Sequence, residues 1–229
     1  MNILALDTSM GACSAAVLRS DGTTPSLHAR QEAMARGHAE ALMPMVAEVL
    51  AAAGITARDL DLIAATEGPG SFTGVRIAIA AARGLALATG AKLYGTDSLT
   101  VMARDALASC LSPKGPFAVA VDARRAMIYL GLYDEAGERR EAPVLIAPDD
   151  AAHMLPNDLT LAIGNGAILL AEECTRQSRP IASALSELQP SAASLAKIAL
   201  EARKTVPILR PLYLRPPDAR PQEPGVARR

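Results

Sequence analysis

The amino-acid sequence predicts an α/β fold made of two similar halves in tandem. Three observations carry this. Short apolar strands alternate with helical periods along most of the 229 residues. A shift of 115 positions lays Ala5 on Ala120, Asp7 on Asp122 and Gly22 on Gly137, with Leu4 on Val119, Leu6 on Val121 and Val17 on Leu132 between them. Strand, glycine turn and helix recur in one order in both parts. The expected organisation is an N-terminal half over 1–111, a C-terminal half over 112–215, and a Pro- and Arg-rich disordered tail over 216–229.

Each element has its own warrant. "NILALD" and "ACSAAVLRSDG" are apolar runs separated by a turn, with Asp21-Gly22 closing the second, and they read as a β-hairpin. A third strand follows near 26–33. "GHAEALMPMVAEVLAAAG" has helical spacing over 38–53 and stops at Gly54. "LDLIAAT" is a buried strand, "GPGSFTG" a turn, and 75–89 an Ala-rich helix that is too short for a bilayer span and carries Arg76 and Arg83. "AKLYGT" is a strand, and a Ser or Asp caps the helix in "SLTVMARDALASCL". "SPKGP" is a linker. Beyond it "FAVAVDARRAMIYLGLYDEAG" repeats the hairpin, "LTLAIGNGAILLAEEC" repeats strand, Gly-x-Gly and helix, and "PSAASLAKIALEARKT" is a last helix.

Composition excludes several functions. A net charge of −1 gives no bulk attraction to nucleic acid or membrane. With no Trp, two Phe and four Tyr, a base-stacking platform is not expected. Cys13, Cys110 and Cys174 form neither a disulfide framework nor a CxxC pair. The chain opens without a basic leader. A reduced, cytoplasmic protein with no membrane contact is the expectation.

The loop Gly68, Pro69, Gly70, Ser71, Thr73, Gly74 has two readings. Backbone N–H groups at a helix start can hold a phosphate. Yet the pattern is neither G-x-G-x-x-G nor G-x-x-x-x-G-K-[ST], no Lys follows, and Pro69 removes a donor. The alternative is a tight strand-to-helix turn with Ser71 or Thr73 as cap, and the spacing favours it. Asp7, Thr8 and Ser9, with Asp122 in the second half, are candidates for a nucleotide held through Mg²⁺ in a cleft. The competing role is an Asp satisfying turn amides.

Two helices look like docking surfaces. Leu42, Val46, Val49 and Ala53 form one apolar stripe, and Met43, Ala47 and Leu50 a second, whereas a surface helix needs only one. In the next helix Ala78, Ala82 and Ala86 form one small stripe and Ala80, Gly84 and Ala88 another; Gly84 costs about 1 kcal/mol there. The interface is assigned to His38, Leu42, Met43, Met45, Val46, Leu50, Arg76, Ala78, Ala82, Arg83 and Ala86. His28, His38 and His153 are too scattered to ligate a metal. Ser71 lies in G-S-F-T-G, which is no nucleophile elbow, so no catalytic residue is assigned.

"ILALDTS…CSAAVL", "GHAEALMPMV", "GPGSFTGVRIAIAAARGLAL", "VDARRAMIYLGLY" and "PLYLR" together resemble the TsaB (YeaZ) family across residues 2–215. The resemblance implies an actin/Hsp70/sugar-kinase-like (ASKHA) fold with two duplicated βββαβαβα halves. It implies a non-catalytic subunit that pairs with a TsaD-like transferase through its first two helices in forming threonylcarbamoyladenosine on tRNA. A TsaE-like ATPase would join, tRNA would be met only through the complex, and ATP or ADP would sit at the complex interface. TsaD-like subunits carry an HxxxH site on the helix that here reads "SLTVMARDAL", without histidine. An independent ATPase or phosphotransferase using Asp7 and Asp122, a glycopeptidase-like protease, and a homodimer through the same helices remain as rival readings.

Overall fold

The structure, a computed structural model, describes residues 1–20, 24–109 and 113–215. The Asp21-Gly22 turn, Cys110, the expected junction at 111–112 and the tail 216–229 lie outside the described residues.

The N-terminal sheet holds β1 (Asn2–Asp7), β2 (Ala12–Arg19), β3 (Ser26–Ala33), β4 (Leu62–Thr66) and β5 (Lys92–Thr96), in the order β3-β2-β1-β4-β5. The C-terminal sheet holds β6 (Phe117–Asp122), β7 (Ile128–Tyr133), β8 (Val144–Ile146), β9 (Leu161–Ile163) and β10 (Ala182–Ala184), in the order β10-β9-β6-β7-β8. Read from the opposite edge, the second order is the first. In both, the first two strands pair antiparallel and the first and fourth parallel. The duplication read from the 115-residue shift is thus a duplication of topology.

Six helices cover the sheets: α1 (His38–Ala52), α2 (Phe72–Thr89), α3 (Ser98–Ala108), α4 (Pro148–Met154), α5 (Ala167–Arg176) and α6 (Ala192–Ala202). Side chains on β1 alternate between two cores, as period-2 geometry requires. Leu4 and Leu6 meet α1 and α2 through Leu42, Val46, Val75 and Ile79. Ile3 and Ala5 meet α6 through Leu195 and Ala199. So α6, from the end of the chain, covers the first sheet. Conversely α3 covers the second, where Leu99, Met102 and Ala106 pack on Phe117, Val119 and Tyr133. The exchange is pinned by polar contacts: Ser191 Oγ donates to Asp105 of α3 at 2.5 Å, and Ala192 N–H to Ser14 Oγ at 3.0 Å.

The helix after the glycine loop starts at Phe72 rather than Val75. Its 18 residues are long and apolar enough, by length and composition alone, to cross a membrane. This corrects the expectation of a helix too short to do so. In the fold, Val75, Ala78, Ile79 and Ala82 of α2 are buried on the sheet.

The loop ahead of α2 explains its glycines. A Cβ on Gly70 would lie 2.2 Å from the Ser9 carbonyl oxygen, and one on Gly74 would lie 2.1 Å from that of Thr8. Ser71 N–H donates to the Ser9 carbonyl at 2.7 Å, and Ser71 Oγ caps the helix by accepting from Gly74 N–H at 3.2 Å. Gly84, by contrast, has open space where a Cβ would stand.

These two environments separate under one substitution. Gly74→Ala is expected to lose about 3 kcal/mol of unfolding free energy or more by backbone overlap. Gly84→Ala is expected to gain about 1 kcal/mol from helix propensity. Denaturant titration of both variants checks the contrast.

Candidate functional site

The turn after β1 is closed by the chain itself. Asp7, Thr8 and Ser9 are each 0% exposed. Ser9 N–H donates to Asp7 Oδ1 at 3.2 Å, Ser9 Oγ to Asp7 Oδ2 at 2.8 Å, and Thr66 Oγ1 also to Oδ2. Thr8 Oγ1 donates to the Gly74 carbonyl at 2.6 Å and accepts from Ala78 N–H at 3.1 Å. The expectation that Asp7, Thr8 and Ser9 face a cleft is therefore corrected: all three are buried. Their backbone carbonyls press on Gly70 and Gly74 of the glycine loop, and their side chains bond to the chain itself. Gly68, Pro69, Gly70, Ser71 and Gly74 build that turn, as the spacing favoured; the cap is Ser71, while Thr73 is exposed.

Asp122, the counterpart of Asp7, is exposed and lines a cleft between the lobes. The difference lies in the neighbouring strand. Thr66 of β4 reaches Asp7, whereas β9 ends at Ile163 opposite Val119 and leaves Asp122 uncovered. Asp122 Oδ1 accepts from Arg124 N–H at 2.7 Å. The two aspartates do not meet as a pair.

The two helices expected to dock, α1 and α2, divide into an inner and an outer face. Leu42, Met45 and Val46 of α1 are 1%, 6% and 2% exposed, and Ala78 and Ala82 of α2 are both 0% exposed. Their assignment to an interface is corrected: they belong to the chain's own core. Leu50 and Ala86 are half-buried against that core, and His38 is half-buried with Nε2 3.1 Å from the Met10 carbonyl. The outer face keeps Ala39, Met43, Ala47 and Ala51 of α1, and Ala80, Arg83, Gly84, Leu87 and Ala88 of α2, all exposed. Leu87 is 89% exposed and Met43 46%. Bulk was the available signal. Val75 and Ile79 mark the inward side of α2, and Leu42, Val46 and Val49 that of α1.

Arg76 points to the cleft. Its guanidinium carbon lies 3.5 Å from the centre of the Phe72 ring, and its Nε donates to Tyr213 Oη at 2.7 Å. Tyr213 stacks on Phe72 with centroids 5.6 Å apart. Tyr213 belongs to a C-terminal strap whose Val206 bridges Leu93, whose Arg210 and Leu212 N–H groups bond to Glu67, and whose Arg215 donates to the Ala123 carbonyl at 3.1 Å. Of this strap, the sequence reading used only the "PLYLR" motif and assigned it no contact.

Among the described residues no cluster of three or more His, Cys, Asp and Glu could hold a metal.

Two lobes of one topology with exchanged covering helices define an ASKHA-fold protein, here with its first-strand turn closed and an apolar two-helix face open. Comparison with known proteins gives the branch. The family model described as TsaD, tRNA N6-adenosine threonylcarbamoyltransferase, matches residues 22–209. An uncharacterised protein of Mycobacterium tuberculosis is 35% identical over 221 residues, 96% of this chain and 94% of that one. The tRNA threonylcarbamoyladenosine biosynthesis protein TsaB of Haemophilus influenzae is 33% identical over 177 residues, 72% of each chain. The crystallised YeaZ of Pseudomonas aeruginosa superposes with a TM-score of 0.78 at 31% identity, covering 93% of this chain and 100% of that one. The chain belongs to the TsaB/YeaZ family.

Burial raises the Asp7 carboxyl to about 6, and the hydrogen bonds from Thr66 and Ser9 offset only part of the effect. With the folded value above the unfolded one, the folded chain binds more protons between pH 4 and 6, so stability falls as pH rises through that window. Asp7→Asn removes this penalty. Its stability relative to the parent is expected to improve by about 3 kcal/mol between pH 4 and pH 7. Urea titrations at a series of pH values check this, and a pH-independent difference contradicts it.

Proposed function

We propose that this chain is the non-catalytic partner subunit of a complex that forms N6-threonylcarbamoyladenosine on tRNA, paired with a TsaD-like transferase. The outer face of α1 and α2 carries the reading. A core-facing helix turns its apolar side inward, and both helices have done so, yet Met43, Ala47, Ala80, Leu87 and Ala88 leave a second apolar side in solvent. Small residues beside Leu87 let a partner helix approach closely. The relatives named TsaB supply the reaction to which such a subunit contributes.

The chemistry falls to the partner, because the Thr8 and Ser9 carbonyls press on the glycine loop and Asp7 is buried. The same facts weigh against an independent ATPase, and with no nucleophile elbow they weigh against a glycopeptidase. The chain needs no cofactor of its own in this role; ATP or ADP belongs at the junction with the partner. A TsaE-like ATPase and the tRNA join through the complex, in the cytoplasm. Without the transferase, the same face accepts a second copy of this chain.

Gly84→Leu and Leu87→Glu each test the face without touching the core. Light scattering of this chain mixed with the TsaD-like subunit is expected to show pairing weakened about tenfold or more in both, with the melting temperature lowered in neither. Ala82→Leu should instead lower the melting temperature, since its methyl lies in the core. Pairing at parental affinity in both outer-face variants overturns the assignment.

A further inference from the structure

The cleft between the lobes, about 1440 Å³, holds a segregation of side chains that the docking role does not use. The chain has six aromatic rings. Tyr94, Phe117 and Tyr133 are buried in the cores, and the other three, Phe72, Tyr129 and Tyr213, all line this cleft. Phe72 is 55% exposed and Tyr213 47%, so their stack is presented to solvent rather than packed away. Four guanidinium groups line the same space: Arg36, Arg76, Arg124 and Arg215, against the carboxylates Glu40 and Asp122. They come from both lobes and the strap, and so surround the cleft in a chain of net charge −1. Arg124 stands on a turn where residues 124, 125 and 126 have φ of 61°, 55° and 54°, a run of left-handed backbone in non-glycine residues.

Stacking rings beside a guanidinium-lined groove match the chemistry of single-stranded nucleic acid, whose bases offer π faces and whose phosphates follow the groove. The volume also exceeds the roughly 300–1000 Å³ of small-molecule sites. Resting on the tRNA role proposed above, we propose that this cleft binds an unpaired RNA strand, with a base against the Phe72–Tyr213 stack and phosphates on Arg36, Arg76, Arg124 and Arg215.

The test is fluorescence anisotropy of a labelled unpaired RNA of about 12 nucleotides with the full chain, alone and mixed with the TsaD-like subunit. Tyr213→Ala is expected to weaken binding about tenfold, and Tyr213→Phe, which keeps the ring, less than about twofold. Arg124→Ala is expected to reduce the slope of log Kd against log salt by about 0.7, the loss of one phosphate contact. A duplex of the same sequence should bind more weakly, since its bases are not free to stack. Equal affinity for the duplex, unchanged affinity in Tyr213→Ala, or AMP alone binding as tightly as the strand would each overturn the proposal. Melting temperatures separate a lost contact from a lost fold. Pairing is read by light scattering on the same samples, so a failed docking reading shows as no heterodimer with the parent chain. A failed cleft reading shows as RNA affinity indifferent to the stack.

Discussion

One backbone-to-backbone contact sets much of the molecule. The carbonyls of Thr8 and Ser9 press against Gly70 and Gly74 at distances that leave no room for a Cβ. That approach fixes where α2 begins, and Thr8 Oγ1 then fixes its first turns by bonding both Gly74 and Ala78. It seals Asp7 away from water and raises its pKa. A glycine loop before a helix is thus a statement about what comes close, and here the near neighbour is the chain's own turn.

The second lobe repeats the device in modified form. A Cβ on Gly164 would lie 2.5 Å from the Ala120 carbonyl oxygen, and one on Gly166 would lie 2.9 Å from Asp122 N. Gly166 N–H donates to the Ala120 carbonyl at 3.0 Å, and Asn165 Oδ1 accepts from Asp122 N–H at 2.9 Å. The contact falls at the end of β6 rather than beyond it, which leaves the Asp122 side chain free to line the cleft. The exchange of α3 and α6 then ties the lobes, because each sheet needs a helix from the other half to cover one face. An apolar sheet face without its helix is exposed core.

Legibility in the sequence followed length and period. β3 falls at 26–33 as expected, α1 starts at His38 where its helical spacing put it, and α3 starts after the expected cap, Asp97. β8, α4 and β10 span three, seven and three residues, too few for a period to register. The two helices expected to dock are present, but their faces were confused, because two apolar stripes do not show which one the chain keeps for its own core. The aromatic count is silent on position in a related way: composition cannot show that three of the six rings line one cleft. The strap's contacts were hidden for another reason: Leu209 is fully buried and Tyr213 stacks on Phe72, pairings that sequence separation of this size conceals.

What remains is why one helix carries so much. The inner side of α2 closes the first core, its outer side is the open apolar face, and its first turn presents Phe72 and Arg76 to the cleft. These sides cannot move independently. Rotating α2 to improve an external contact would break the Thr8 bonds and drive Gly74 against the turn, at a cost comparable to overpacking a core. The outer surface at Gly84 and Leu87 therefore has an angle fixed from within, and the Tyr213 hydroxyl bonded to Arg76 extends that constraint into the strap and, through Arg215, to the second lobe. The small outer residues are tolerable because rigidity comes from the glycine turn rather than from side-chain bulk along the helix.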